Sequence, residues 1–232
     1  IGANALQLCT VSGNVAVGAN SQLNTSTGNA NTSCGTQALQ LNTTGTQSTA
    51  MGFQALQANT ASGSTAFGAL ALAANGASTG NSAFGSLALQ VSTAANCSGF
   101  GQGVLAANTT GNSNTGFGAF VLGANNTGTF NCAFGTSSML ANTTGASNSA
   151  FGLGTLISNL TGGNNSAFGA NALSATTSNS SSAFGSGALQ ANTAVGSAAF
   201  GFNALRFNTT GSANTACGTS ALQANTVGIS NS

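Results

Sequence analysis

Apolar residues return to the same two places in every copy of a short repeat that runs the length of the chain. The first place immediately precedes a glycine and holds Ile1, Val17, Cys34, Met51, Phe67, Phe84, Phe100, Phe117, Phe134, Phe151, Phe168, Phe184, Phe200 and Cys217. The second lies four residues after that glycine and is Leu in almost every copy, from Leu6 to Leu222, with Met139 as a variant and Gln22 as the one polar break. The glycines themselves, Gly2 through Gly218, follow one another at steps of either 16 or 17 throughout. A period this short, held from end to end, predicts a solenoid of stacked coils.

Side chains alternate across a strand with period two. In Asn-Ser-Ala-Phe-Gly this puts Phe on one face and Ala on the other. The pattern predicts an all-β fold: a parallel β-solenoid, as a β-roll or β-helix, of about fourteen 16- or 17-residue rungs with two short strands and two turns in each. Phe67, Phe84, Phe100, Phe117, Phe134, Phe151, Phe168, Phe184 and Phe200 are expected to point into the coil as one core stack, beside the Leu row. Stretches such as Asn42-Thr43-Thr44-Gly45 and Asn108-Thr109-Thr110-Gly111 supply turns, since Asn and Gly tolerate positive φ. The slot two before each glycine is small everywhere, as at Ala66, Gly99 and Ala133. It either fills a tight corner of the coil or lets another backbone approach.

Gly, Ser, Thr and Asn at this density would by themselves read as a flexible tract. The fixed register of the apolar slots overrules that reading, and it holds over residues 1–232 as a single repeat solenoid. Residue 1 falls within a repeat and the last residues repeat the tract that elsewhere leads into Ala-Phe-Gly, so the segment is expected to belong to a longer fibre.

Charge removes most chemistry. The chain contains no Asp, Glu, Lys or His, and its one charged side chain is Arg206. Acid–base catalysis near neutral pH has only thiols to draw on, so no enzyme, catalytic residue, cofactor site or metal site is expected. Phosphate neutralisation requires Lys and Arg in number, which argues against nucleic-acid binding. There is no apolar run long enough for a membrane-spanning helix, so membrane insertion is not expected.

Five cysteines, Cys9, Cys34, Cys97, Cys132 and Cys217, have no metal-ligand spacing. Cys34 and Cys217 occupy the Phe slot and are expected to be buried free thiols. Asn42, Asn108, Asn125, Asn142, Asn159 and Asn208 all sit seven places after an anchoring glycine within Asn-x-Ser/Thr, and are candidate N-glycosylation sites along one edge. The abundance of Asn, Ser and Thr makes such sequons common by chance as well.

The repeat resembles the head-domain repeats of trimeric autotransporter adhesins, in which a small residue, an aliphatic residue and a glycine recur in a parallel β-roll. It is similar also to repeats of phage tail-fibre-like and bacterial surface fibre proteins, through Asn208-Thr209-Thr210-Gly211, Asn214-Thr215-Ala216 and Gly218-Thr219-Ser220-Ala221-Leu222. Phe in place of Ile or Val before the glycine, and the regular Leu, depart from the adhesin pattern. The expected role is a structural subunit or shaft of an extracellular fibre or filament on a cell or virion surface, with adhesion as an additional role. Its expected partners are copies of itself, through head-to-tail or lateral association, with glycans as a further class. An ice-binding or glycan-binding solenoid is the alternative, with its Thr-x-Thr requirement weakened by the clustering of Thr in turns.

Overall fold

The computed structural model describes residues 2–232. Among them there is no helix, and thirteen strands of three residues form a parallel β-solenoid. The chain divides into two compact units, Ile1–Asn114 and Thr115–Ser232. The first holds β1 (Val15–Val17), β2 (Thr32–Cys34), β3 (Thr49–Met51), β4 (Thr65–Phe67), β5 (Ser82–Phe84) and β6 (Ser98–Phe100). The second holds β7 (Thr115–Phe117), β8 (Cys132–Phe134), β9 (Ser149–Phe151), β10 (Ser166–Phe168), β11 (Ser182–Phe184), β12 (Ala198–Phe200) and β13 (Thr215–Cys217). In each unit every strand pairs in parallel with the next in sequence. Equivalent slots lie opposite each other, as in Thr65↔Ser82, Ala66↔Ala83 and Phe67↔Phe84, or Cys132↔Ser149, Ala133↔Ala150 and Phe134↔Phe151. The slot of Ile1 lies outside the described residues.

Each coil has one strand rather than the expected two. The Ala-Leu segment after the glycine is built from consecutive turns, because the residue at the Leu slot takes left-handed backbone angles: φ is 50° at Leu56, 52° at Leu89 and 51° at Leu156. That conformation costs an L-residue roughly 1–2 kcal/mol. Full burial of the Leu side chain offsets it by about 1.5–3 kcal/mol. Successive amides in the turns alternate between bonds along the stack and bonds within the coil. Leu87 N donates to Ala69 O of the preceding rung (3.0 Å), Ala88 N to Gly85 O of its own (3.3 Å), and Leu89 N to Val104 O of the following one (2.9 Å).

The Leu row is the core that the pattern predicts, and Leu39, Leu56, Leu72, Leu89, Leu105, Leu122, Leu156, Leu173, Leu189 and Leu205 are wholly buried. The Phe row is not. In every strand the central small residue is buried and its two neighbours face outward, so Ala66, Ala83, Ala133, Ala150, Ala167 and Ala183 line the interior. Phe67, Phe84, Phe100, Phe117, Phe134, Phe151 and Phe168 are half-buried on the outside, and Phe184 and Phe200 are 38% and 43% exposed.

Interior width decides this parity. At Gly99, which occupies the Ala slot, a Cβ would lie 3.5 Å from Leu89 Cδ1 of the preceding rung and 2.8 Å from Val104 Cγ1 of its own. A methyl group fits against the Leu row, and an aromatic ring does not. The small slot therefore fills the inside of its own coil. The anchoring glycines tighten the stack further: a Cβ at Gly68, where φ is 133°, would stand 2.5 Å from the carbonyl of Gly85 on the next rung.

The parity also carries asparagine inward. Asn42, Asn108, Asn125, Asn142, Asn159 and Asn208 are fully buried, as are Asn81, Asn114, Asn148 and Asn165 four places before the glycine. A buried amide is costly unless all its groups are bonded. Asn148 Nδ2 donates to Gly162 O (2.8 Å), while its Oδ1 accepts from the Asn165 backbone N (3.0 Å).

One turn sets the rung length. In the longer rung from Gly35 to Gly52 the turn is Asn42-Thr43-Thr44-Gly45, and Asn42 Nδ2 donates to Gly45 O (2.9 Å). In the rung from Gly52 to Gly68, shorter by one position, it is Asn59-Thr60-Ala61, and Asn59 Nδ2 donates to Ala61 O (2.7 Å). The same amide closes a four-residue or a three-residue turn, and the rest of the coil is unchanged.

Candidate functional site

The outer face of the strands carries two parallel rows. One is the ring row. Within the first unit Phe67, Phe84 and Phe100 stack at centroid separations of 5.0 and 4.7 Å. Within the second, Phe117, Phe134, Phe151, Phe168, Phe184 and Phe200 stack at 4.7, 4.9, 4.7, 4.8 and 5.2 Å, with planes within 8° of parallel. In-register parallel pairing imposes that spacing, since neighbouring strands lie about 4.8 Å apart. Each inner ring is covered on both faces by its neighbours and offers only its rim to solvent.

The second row stands two residues earlier, on the same side of the strand. It consists of Val15, Thr32, Thr49, Thr65, Ser82 and Ser98 in the first unit, and of Thr115, Cys132, Ser149, Ser166, Ser182, Ala198 and Thr215 in the second. Short hydroxyl side chains thus alternate with ring rims across an uncharged strip. Arg206 lies after the glycine, outside these strands, with its guanidinium 5.2 Å from the Phe207 ring centroid and its Nε donating to Gln190 Oε1 (2.8 Å).

The candidate glycosylation sites are not on an edge. Asn42, Asn108, Asn125, Asn142, Asn159 and Asn208 point into the coil, where the Nδ2 of each donates to the carbonyl of the turn residue three places on, at 2.7 to 3.0 Å. An N-glycan is carried on that same Nδ2. The expected line of glycans is therefore incompatible with the folded coil. The constant seventh position after the glycine, which suggested an edge, marks an inward slot.

Cys34 and Cys217 are exposed rather than buried, because the Phe slot faces outward. Cys97 is buried in the inward Asn slot and reproduces its bond, with Sγ donating to Gly111 O at 3.3 Å. Burial pushes the thiol pKa of Cys97 up, against smaller opposing contributions from hydrogen bonds to Asn114, Ser113 and Asn108. Burial also raises that of Cys132. All five cysteines are free.

The Gln22 break in the Leu row is a polar cluster inside the first unit. Gln22 Nε2 donates to Val15 O and Ser33 Oγ (both 2.8 Å), and Ser33 Oγ lies 2.5 Å from Ser21 Oγ. Gln22 Oε1 is buried without a partner.

Among the described residues no pocket opens, no group of three His, Cys, Asp or Glu side chains gathers, and no helix is long and apolar enough to cross a membrane. What the geometry brings together is the strip of rims and hydroxyls, repeated rung after rung. No protein-family model matches this sequence, and neither the curated proteins nor the solved structures compared with it give a match. The chain is a parallel β-solenoid of tandem repeats.

Proposed function

We propose that this chain is a structural shaft or subunit of an extracellular fibre, exposed on a cell or virion surface. The observation that carries the reading is the hydrogen-bonded repetition of one cross-section. Each rung bonds both neighbours through its backbone, as at Leu87 and Leu89, and shows the same face as the rung before it. Such an arrangement transmits load along the stack, and its short-range couplings make length adjustable without redesign of the coil. The resemblance to adhesin-head and tail-fibre repeats supports the same role, with adhesion as a second duty.

The ice-binding or glycan-binding alternative draws on the hydroxyl row. Sugar recognition by aromatic residues uses ring faces, and those of the inner Phe residues are spent on one another. The Thr/Ser row of the strands has no hydroxyl at Val15, Cys132 and Ala198, and the Thr hydroxyls of the turns, as at Thr60, Thr93 and Thr209, are spent on carbonyls of the next rung. Both features favour the structural role.

Fibre diffraction from aligned specimens tests it. Rungs stacked along the particle axis give a meridional reflection near about 4.8 Å. Unoriented compact particles by electron microscopy, with no such reflection, would overturn the proposal.

A further inference from the structure

We infer that the strip of Phe rims and Thr/Ser hydroxyls is a lateral interface, and that its occupant is the same strip of a second copy of this chain. The inference rests on the structural role proposed above and names the surface through which shafts associate.

Three observations carry it. First, the strip is large and apolar for an exposed surface. With a Phe side chain contributing on the order of 200 Å² when fully exposed, the six rings of the second unit and their small neighbours present on the order of 450 Å². That matches the largest apolar patch of a typical monomer, about 300–600 Å². In the first unit Val17 and Met51, 44% and 41% exposed, continue the row of Phe67, Phe84 and Phe100. A stable protein–protein interface buries about 800 Å² per partner, and the strip of the second unit by itself supplies roughly half of that.

Second, the strip has a strict axial period. Rings spaced 4.7 to 5.2 Å apart leave grooves of the same period between their rims. Only a surface with that repeat stays in register over six rungs, and a second solenoid of this chain has it by construction. Rims of one copy then lie against the matching shallow ripple of the other, and the Thr/Ser row of each flanks the rings of its partner.

Third, none of these strands carries a charged side chain. Identical faces meet without the like-charge repulsion that normally keeps a self-complementary patch apart. A two-fold pairing satisfies both copies with one patch.

The test is sedimentation of the full chain and of Phe151→Lys over a range up to tens of micromolar, with circular dichroism of both. Phe151 faces outward, so the lysine stem can lie along the strip with its ammonium in water. Wild type is expected to associate with rising concentration, and the variant to need at least about tenfold more protein for the same association at an unchanged spectrum. Equal association of the two, or a wild type that stays monomeric, overturns the inference. Should the variant unfold, the rate of alkylation of Cys132 in wild type decides: slowing with concentration supports the interface, and a constant rate overturns it. Monomeric wild type that instead pellets with an insoluble polysaccharide assigns the strip to a different occupant and also overturns it. The meridional reflection does not depend on this face, so loss of lateral pairing and loss of the structural role are read separately.

Discussion

Gly99 and Val104 share one volume. A Cβ on Gly99 would lie 2.8 Å from Val104 Cγ1, and both residues are buried in the same coil. In most rungs these two slots hold Ala and Ala, as at Ala83 and Ala88; here one has lost a methyl and the other has gained two. Gly116 and Val121 repeat the exchange. Gly99→Ala alone is expected to destabilise by about 1–3 kcal/mol through overpacking, and Val104→Ala alone by a similar amount through the cavity it leaves. The double substitution restores the common pair, so thermal or chemical denaturation should return it to within about 0.5 kcal/mol of wild type. Additive losses would show that the two slots are independent.

The orientation of the strands gives a second, sharper contrast. Ala150→Asp puts an unpaired charge inside the coil and is expected to abolish folding, since burying such a charge costs several kcal/mol. Phe151→Asp, one residue on, places the charge in solvent and loses two ring contacts, about 1–3 kcal/mol in total. Comparing the two melting curves checks which face is inside. Leu156→Ala should fall between them, at about 2–5 kcal/mol.

Expression through a secretory route that attaches N-glycans should prevent folding. A glycan on Asn142 or Asn208 would replace one of two Nδ2 protons that are both donated, to Asn125 Oδ1 and Gly145 O or to Asn192 Oδ1 and Gly211 O, and could not fit inside the coil. Glycan-free protein is expected to fold, and chains modified at these sites to remain unfolded. Mass spectrometry of the soluble, strand-rich fraction checks this, and a glycan found there on any of the six residues would refute it.

Stability should be flat from about pH 4 to 8, where no side chain titrates, and should fall in alkali. Burial raises the Cys97 pKa above the ordinary thiol value, so the thiol stays protonated in the folded coil when it would ionise in the unfolded chain. Its stabilising contribution is complete below the unfolded pKa and is lost as pH rises through the folded one. Cys132, also raised, acts in the same direction. Cys97→Asn installs the residue usual at this slot, and its melting temperature should decline less in mild alkali than that of wild type.

Restoring the usual residues at the polar cluster should raise stability. The triple substitution Ser21→Ala, Gln22→Leu and Ser33→Ala removes the unpaired Gln22 Oε1 and completes the Leu row. An increase in melting temperature is expected, equivalent to about 1–3 kcal/mol. A decrease would mean that the hydrogen bonds of Gln22 to Val15 and Ser33 outweigh the buried leucine.

The solenoid and its period are legible in the sequence because the glycine spacing is rigid. Anchoring glycines such as Gly52, Gly68 and Gly185 lie against the next rung's backbone, and a Cβ there would collide with it. The Leu row is legible for the same reason. The inward face of the strand is not, since hydrophobicity ranks Phe above Ala, whereas the width beside Leu89 admits only a methyl group. Asparagine at Asn42 or Asn148 reads as turn or surface because the bonds that make its burial tolerable come from positions as far as the neighbouring rung. Left-handed Leu56 and Leu89 have no local signal at all: propensity opposes that conformation, and only stacking on adjacent rungs selects it.

The buried asparagines give the stack a direction that its turns lack. Main-chain amides in the turns point alternately to the preceding and the following rung, as Leu87 and Leu89 do, so their dipoles oppose one another. The bonds between buried asparagines of successive rungs point one way: Asn142 Nδ2 to Asn125 Oδ1 (2.7 Å), Asn159 to Asn142 (3.0 Å), and Asn208 to Asn192 (2.9 Å), each from the later rung to the earlier. Aligned amides polarise their neighbours and sum along the line. The line is broken at Thr176, where Asn159 Oδ1 has no partner, so the run from Asn125 to Asn159 and the run from Asn192 to Asn208 are separate and point the same way. Within such a run the later rung offers amide hydrogens and the earlier one amide oxygens, so the two directions along the coil differ without any charged residue.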